Sequence, residues 1–254
     1  MPRIVTYNVH RCLGVDRRLN VGRVAEVIAA QSPDIVALQE IDVGRARTGG
    51  VDQAHHLATL LGMAFHFNAA LTVESESYGD AILTSLPERL VKAAALPGHP
   101  LTTRLEPRGA LWVAVRIGDI ELQVINTHLG LAPGEQRAQA SALAGEAWLG
   151  SPERSDPLML VGDFNATPRA ATFRTISGHL TESRRACKGA PSIRTFPSQA
   201  PMLALDHVFV SGGIQVRSVT APSDMRSRAA SDHLPLVVDF DLIDEQTKPS
   251  LTDA

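Results

Sequence analysis

Apolar runs that end in, or enclose, a hydrogen-bonding side chain recur along this chain. Ile4-Val5-Thr6-Tyr7 runs into Asn8, Ile35-Val36-Ala37-Leu38-Gln39 into Glu40, and Val124-Ile125 into Asn126 and His128. Leu158-Met159-Leu160-Val161-Gly162 leads to Asp163 and Asn165, Asp206 sits inside Leu203-Ala204-Leu205-Asp206-His207-Val208-Phe209-Val210, and Asp232-His233 precedes Leu234-Pro235-Leu236-Val237-Val238. Short apolar runs rich in β-branched residues read as strands, and those without polar alternation read as strands covered on both faces. A carboxylate or amide beside such surfaces costs free energy unless it is paired or binds an ion. One such residue is an ordinary satisfied core polar group. A full set needs a common cause, and a pocket for a metal and a phosphate supplies one.

The spacing of apolar residues sets helices among these strands. Val21, Val24, Ala25 and Ile28 share a helical face that Ser32-Pro33 ends, and Asp52 caps a second helix carrying Ala54, Leu57, Ala58 and Leu61 as far as Gly62. A third helix is expected from Pro133 to about Gly150, and a short one, capped by Thr167-Pro168, includes Phe173 and Ile176. Further strands are expected over 64–68, 79–84, 89–96, 108–117 and 119–127, the last two joined by a Gly118-Asp119 turn. Closing strands follow at 203–211, 214–221 and 234–240, and Asp42, Arg45 and Arg47 fall in an expected loop after Glu40.

The order strand, helix, strand occurs twice: Asn8 to Glu40 spans 32 positions and His128 to Asp163 spans 35. Both copies put polar residues at C-terminal strand ends, where α/β sheets hold their ligands. The expectation is a four-layer α/β sandwich, two face-to-face mixed β-sheets flanked by helices. It forms a single domain over 1–243, followed by a polar tail over 244–254.

The 254 residues suffice for one such domain, and a hydrophobic share of 44% with 20% charged residues argues against disorder and against membrane spanning. A net charge of −3 disfavours holding long nucleic acid by phosphate neutralisation, although a local basic patch is compatible with it. Cys12 and Cys187, the only cysteines, can form neither a disulfide framework nor a Cys-rich zinc site, so two unpaired thiols are expected. No charged, apolar and small-residue signal layout precedes the first strand, and no apolar run reaches membrane-spanning length. The expected location is cytoplasmic. Oligomeric state leaves no trace in the sequence.

Isolated Asp and Glu residues, rather than His-His or Cys-Cys pairs, suit a hard cation such as Mg²⁺, which takes oxygen ligands and often only one or two carboxylates. Phosphoester hydrolysis also needs an oriented water, donors to the phosphoryl oxygens and help for the departing alkoxide. Tyr7-Asn8-Val9-His10, Gln39-Glu40, Tyr78-Gly79-Asp80-Ala81-Ile82-Leu83, Asn126-Thr127-His128-Leu129, Gly162-Asp163-Phe164-Asn165, Asp206-His207-Val208-Phe209-Val210 and Ser231-Asp232-His233-Leu234-Pro235 occur in that order. This series resembles the endonuclease/exonuclease/phosphatase superfamily, from position 4 to about 240. That superfamily includes pancreatic-type deoxyribonuclease, apurinic endonucleases, bacterial sphingomyelinases, inositol phosphatases and poly(A) deadenylases.

The resemblance implies a metal-dependent phosphoric ester hydrolase using Mg²⁺, with Mn²⁺ as a substitute. Glu40 would be the principal metal ligand, with Asn8 beside it and Asp232 close by. Asp163 would orient or deprotonate the attacking water, and Asn165 and His128 would hold phosphoryl oxygens. His233, oriented by Asp206, would stabilise charge on the phosphate.

Tyr78, Asp80 and Arg108 are candidates for substrate contact, against plainer readings as a packed rim ring, a strand polar group and a solvated charge. Many relatives implied by the resemblance carry Asn where this chain has Asp80. The extra negative charge needs a partner, and pairing with His128, which would keep the imidazole protonated, is the expectation. His10 and His207 alternate to the opposite strand face and belong to packing or the rim. His55 and His56 belong to a helix surface, Trp112 and Trp148 to the core. No Gly-x-Ser-x-Gly elbow, phosphate loop or His-Glu-x-x-His helix supports another enzyme class. The expected substrate is a small-molecule or lipid-headgroup phosphodiester, with DNA or RNA as the alternative. A non-catalytic binding protein is disfavoured, because every expected catalytic position is filled.

Overall fold

Side-chain alternation builds the layers. The computed structural model describes residues 1–99, 105–187, 189 and 192–243; the tail expected over 244–254 lies outside them. In β1 (Arg3–Asn8), Ile4 joins a core cluster with Ile35, Val113 and Val124, while Val5 and Tyr7 join another with Val24, Ile28 and Leu57. The first cluster lies between two sheets. The second lies between one sheet and the helices α1 (Val21–Ala29) and α2 (Gln53–Leu61). A third cluster, with Trp112, Ile125, Leu160 and Phe209, packs the other sheet against α3 (Pro133–Ala144) and α4 (Ala171–Ser177). Helix, sheet, sheet and helix therefore stack as four layers.

The first sheet holds β1, β2 (Ile35–Val43), β3 (Ala64–Val73), β4 (Glu76–Thr84), β11 (Ile214–Thr220) and β12 (Leu236–Leu242), in the order β11-β12-β1-β2-β4-β3. The second holds β5 (Glu88–Ala95), β6 (Gly109–Ile117), β7 (Ile120–His128), β8 (Leu158–Asp163), β9 (Thr181–Glu182) and β10 (Asp206–Val210), in the order β5-β6-β7-β8-β10-β9. Short helices α5 (Ser183–Ala186) and α6 (Met225–Ala230), with single 3-10 turns at His10–Cys12 and Ala46–Thr48, complete the described elements. In each sheet one parallel pair, β1 with β2 or β7 with β8, is flanked on both sides by antiparallel neighbours. The sequence echo is thus a repeat of topology. No described helix is long and apolar enough to cross a membrane.

Local expectations hold at the cap of α2, where Asp52 accepts from His55 N–H, and at the β6–β7 hairpin; α1 is capped as well, by Asn20, which accepts from Arg23 N–H. Elsewhere tertiary packing redraws boundaries. The third helix stops at Ala144 instead of about Gly150, because Gly145 turns extended and the following turn tucks Trp148 and Leu149 into the core. Thr167-Pro168 does not cap α4; Ala170 N–H turns back to Thr167 O, and the helix begins at Ala171. Asp42 is no loop residue, since β2 continues past Glu40 to Val43. Residues 203–205 precede β10 instead of starting it, because Leu203 is bridged to Phe196.

One polar connection ties the two sheets. The register of β2 on β4 runs from Ile35↔Thr84 to Leu38↔Ala81 and resumes at Ile41↔Gly79, so one extra residue bulges from β2. From the other sheet, Asn126 Nδ2 donates to Leu38 O at 2.9 Å and to Ala81 O at 3.0 Å, while its Oδ1 accepts from Gln39 Nε2 at 2.7 Å. Asn126 is fully buried, so no water replaces these bonds. Replacing it by the similarly sized Leu strands buried polar groups, each costing about 1–3 kcal/mol. Asn126→Leu is expected to lose about 2–4 kcal/mol in urea denaturation; an unchanged midpoint would refute the clamp.

The first and last strands of the domain are joined by charge as well as register. Asp239 on β12 accepts from Arg3 Nε on β1 at 2.6 Å and from Ser218 Oγ on β11 at 2.6 Å. The Arg3 hydrogen bond holds the Asp239 carboxyl below its usual range, against partial burial. A depressed folded-state pKa contributes stability above the unfolded value and loses it as pH falls through the folded one. Asp239→Asn should therefore melt at lower temperature than wild type at neutral pH, with the gap narrowing as the pH falls below the unfolded value of about 4. A gap that keeps its size on further acidification would contradict the pairing.

Candidate active site

The face of each strand that fills the inter-sheet core continues, past the apolar residues, into a cleft at one end of the sandwich. On β7 the core residues Leu122 and Val124 are followed by Asn126 and His128; on β8, Met159 and Val161 by Asp163; on β10, Asp206 stands in line with Val208 and Val210. Period-2 alternation thus aligns the polar ends with the core. For Glu40 it predicts the opposite face, that of Val36 and Leu38, which pack toward the helices. The bulge corrects this. Glu40 takes a left-handed backbone, φ 59°, and its side chain reaches Asn8, while Ile41 returns to the helix side.

Glu40, Asp163 and His233 converge on one cleft of about 490 Å³. Asn8 Nδ2 donates to Glu40 Oε1 and to Asp163 Oδ2, each at 3.0 Å. His233 Nδ1 faces Asp206 Oδ2 at 2.9 Å, and its Nε2 lies 3.6 Å from Asp163 Oδ2. Asn165 Nδ2 donates to His128 Nε2 at 3.0 Å and to Leu129 O at 2.9 Å. Asp232 lines the cleft, accepts from Ser231 Oγ at 3.3 Å and lies 3.9 Å from His10 Nδ1. All eight residues expected to form the central set are therefore assembled in one place.

Backbone features hold them. Gly162 (φ 138°) lets β8 approach β7 so closely that a Cβ there would sit 1.9 Å from Thr127 O. Beyond Asn8, His10, Arg11 and Cys12 are left-handed in succession, with φ 45°, 48° and 57°. Such positions cost about 1–3 kcal/mol each and persist only where their surroundings over-determine them. Here Asn8 Oδ1 accepts from His10 N–H, Gln53 Nε2 donates to Arg11 O, and Cys12 is fully buried. The sequence carries no mark of this turn, and Arg11 on the cleft wall was not foreseen.

Burial opposes charge on His233, but Asp206 and Asp163 outweigh it and raise its pKa, so the imidazole is cationic at neutral pH. Burial, aided by Asp206, raises Asp163 despite the opposing pull of His233. His128 goes the other way: burial, then Arg108 and His233, push it well below its ordinary value. The expected Asp80–His128 pair is therefore corrected. Asp80 is not among the partners of His128, which meets Asn165, Arg108 Nη1 at 3.4 Å and Asp163 at 3.6 Å, and which is neutral. Burial pushes the Asp80 carboxyl up to about 8 against the pull of Arg108, so near pH 7 it is mostly uncharged. That protonation, and no imidazolium, removes the unwanted negative charge.

Tyr78 and Arg108 both reach the cleft. Tyr78 packs beneath Arg47, whose guanidinium lies 5.4 Å from the ring centroid, and Arg108 is buried with Glu106 at 2.9 Å. Arg47 binds Asp42 at 2.7 Å, which accounts for both residues without a substrate role. His207 packs among Phe164, Phe173 and Phe209, on the face away from the cleft, as alternation requires.

The donor set fits a hard divalent cation. Glu40, Asp163 and Asp232 line one cleft as oxygen donors, and Asp206 Oδ1 is buried without a hydrogen-bond partner. Asp163, Asp206 and His233 also lie close enough to share one ion. Both ring nitrogens of His233 already face carboxylates, however, Nδ1 in a hydrogen bond to Asp206 and Nε2 in an ion pair with Asp163 at 3.6 Å, which leaves the imidazole no free nitrogen for an ion. Glu40, partly exposed on the cleft wall, is the better anchor.

The uncharacterized protein YbhP of Escherichia coli is 26% identical over 255 residues, covering 94% of this chain and 96% of that protein. Among solved structures, the mannosyl-6-phosphatase of Bacteroides thetaiotaomicron superposes with a TM-score of 0.77 at 18% identity, covering 95% of this chain and 100% of the other. The human Nocturnin catalytic domain with bound sulfate anion gives 0.69 at 22% identity, covering 95% and 93%. An endonuclease/exonuclease/phosphatase from Beutenbergia cavernae gives 0.73 at 22%, covering 95% and 72%. These likenesses show a shared fold. Residues 5–233 match the sequence profile of the Endonuclease/Exonuclease/phosphatase family, and the chain belongs to that family.

Proposed function

We propose that this chain is a Mg²⁺-dependent phosphoesterase, Mn²⁺ serving in its place, that hydrolyses a phosphodiester by in-line attack of water. The observation that carries this reading is the continuous chain from Glu40 through Asn8 and Asp163 to His233 and Asp206. It sets a candidate metal carboxylate and a cationic imidazole on either side of one buried carboxylate. A neighbour named as a phosphatase and another holding a sulfate anion are in keeping with phosphoester chemistry in this fold.

Asp163, with its proton affinity raised toward neutrality, accepts the proton of the attacking water. His233 donates from Nε2 to a non-bridging oxygen as charge builds, and Asp206 fixes the orientation of its ring through Nδ1. Both amide protons of Asn165 are engaged, one by His128 Nε2 and one by Leu129 O, so Asn165 grips a phosphoryl oxygen by giving up the bond to His128. His128, neutral, holds that amide in place until the exchange. Arg108, buried between Tyr78, Glu106 and His128, adds positive charge at the wall. Glu40, with Asn8 and Asp232 nearby, would hold the cation, which when bound offsets phosphoryl charge and stabilises the leaving oxygen.

Two outcomes test this. Glu40→Gln and His233→Ala should each lower kcat on bis-(p-nitrophenyl) phosphate by about 10²–10⁴-fold with native circular dichroism retained; wild-type turnover in either would overturn the assignment. Chelation by EDTA should abolish hydrolysis, and Mg²⁺ or Mn²⁺ should restore it. In parallel, Mg²⁺ should raise the melting temperature of wild type and not of Glu40→Gln. Equal shifts in the two proteins would move the metal away from Glu40.

A further inference from the structure

Four apolar side chains share the cleft with this charged machinery: Leu131, Phe196, Leu203 and Leu205. Leu131 is 73% exposed and Leu203 is 41% exposed. A single exposed leucine needs no explanation, but apolar surface gathered at the mouth of a polar cleft does. We propose that these side chains hold an aliphatic ester group, so that the substrate is a phosphodiester carrying one phosphate and one alkyl or acyl-bearing arm. This rests on the phosphoesterase reading and adds the substrate class to it.

The apolar wall is fastened to the residues that would perform the chemistry. Phe196 and Leu203 exchange backbone hydrogen bonds of 3.1 and 2.8 Å, closing a small hairpin. Ser198, within that hairpin, donates through its N–H to Asp232 O and through Oγ to Ser231 O, each at 2.7 Å. The Phe196 ring lies 4.8 Å from that of His233. Leu205 O accepts from Phe164 N–H, between Asp163 and Asn165. Leu131 follows Gly130, whose carbonyl shares the Gln136 amide with Asn165 O, both at 2.9 Å. An alkyl group leaving the phosphate therefore meets a wall fixed relative to His233 and Asn165.

A polynucleotide fits the same cleft poorly. Arg47 is committed to Asp42 and Arg108 to Glu106, so among the described cleft residues only the Arg11 guanidinium has no hydrogen-bond or ion-pair partner. One unengaged cation suits one phosphate, not a run of them. The Tyr78 ring is not free for a base to stack on either, being 4% exposed under Arg47.

The test uses the full chain with Mg²⁺ and methyl, butyl and octyl p-nitrophenyl phosphates below their aggregation concentrations, read by p-nitrophenolate release. Wild-type kcat/KM should rise by about two- to four-fold per methylene over the first carbons, mainly through KM. Leu131→Ser/Leu203→Ser should flatten that rise, while Leu60→Ser, an exposed leucine on α2, should keep it. If the double variant does not fold, Leu131→Ser alone carries the comparison. Methyl and octyl esters cleaved equally by wild type would overturn the substrate class and leave the phosphoesterase reading standing. A rise preserved in the double variant would remove the proposed wall. A thymidine p-nitrophenyl ester preferred over octyl would favour a nucleotide. Turnover of none of the esters would sink the phosphoesterase reading, and this inference with it.

Discussion

The structure depends on a bond made across the sandwich. Beside the bulge in β2, Asn126 from the facing sheet donates to Leu38 O and to Ala81 O of the neighbouring strand. Without the bulge, Glu40 would point at the helices. Without the amide, the bulge would leave buried carbonyls unpaired. The side chain that locks the two sheets together is therefore also the one that permits Glu40 to face Asp163. Fold and site share one set of hydrogen bonds here, which is why the cleft lies at the end of the inter-sheet core and not on a peripheral loop.

Around that clamp the site works by opposed environments. His233 sits between two carboxylates and keeps its proton, while His128, beside Arg108, loses it. Asp206 and Asp163 are both buried, yet only Asp163 faces the open cleft. Two histidines and two aspartates thus occupy four distinct environments, with the sorting done by neighbours and burial and not by residue type.

Much of this was legible in the residues. Alternation within β1, β7, β8 and β10 assigns Asn8, His128, Asp163 and Asp206 to one side and His207 to the other, and the structure agrees. What escaped the sequence was set by tertiary contacts. Glu40 breaks alternation through a bulge that only its pairing with β4 reveals. Asn126 stood among the strand-end polar residues, but its work is across the sandwich and so has no local signature. Asp80 was given a charged partner when burial had neutralised it instead. The turn at His10, Arg11 and Cys12 has no glycine to announce it, and the helix after Pro133 ends early because Trp148 finds a place in the core.

The pairing of β12 with β1 has a consequence for a chain emerging from the ribosome. Residues that cover the open side of β1 come after every other described strand, and His233 lies three positions before them. Until then β1 has a bare edge, able to pair with another chain. The emerging chain also lacks His233 until then, so Asp163 and Asp206 stay without the imidazole that stands between them. One segment thus both covers the sheet edge and completes the cleft.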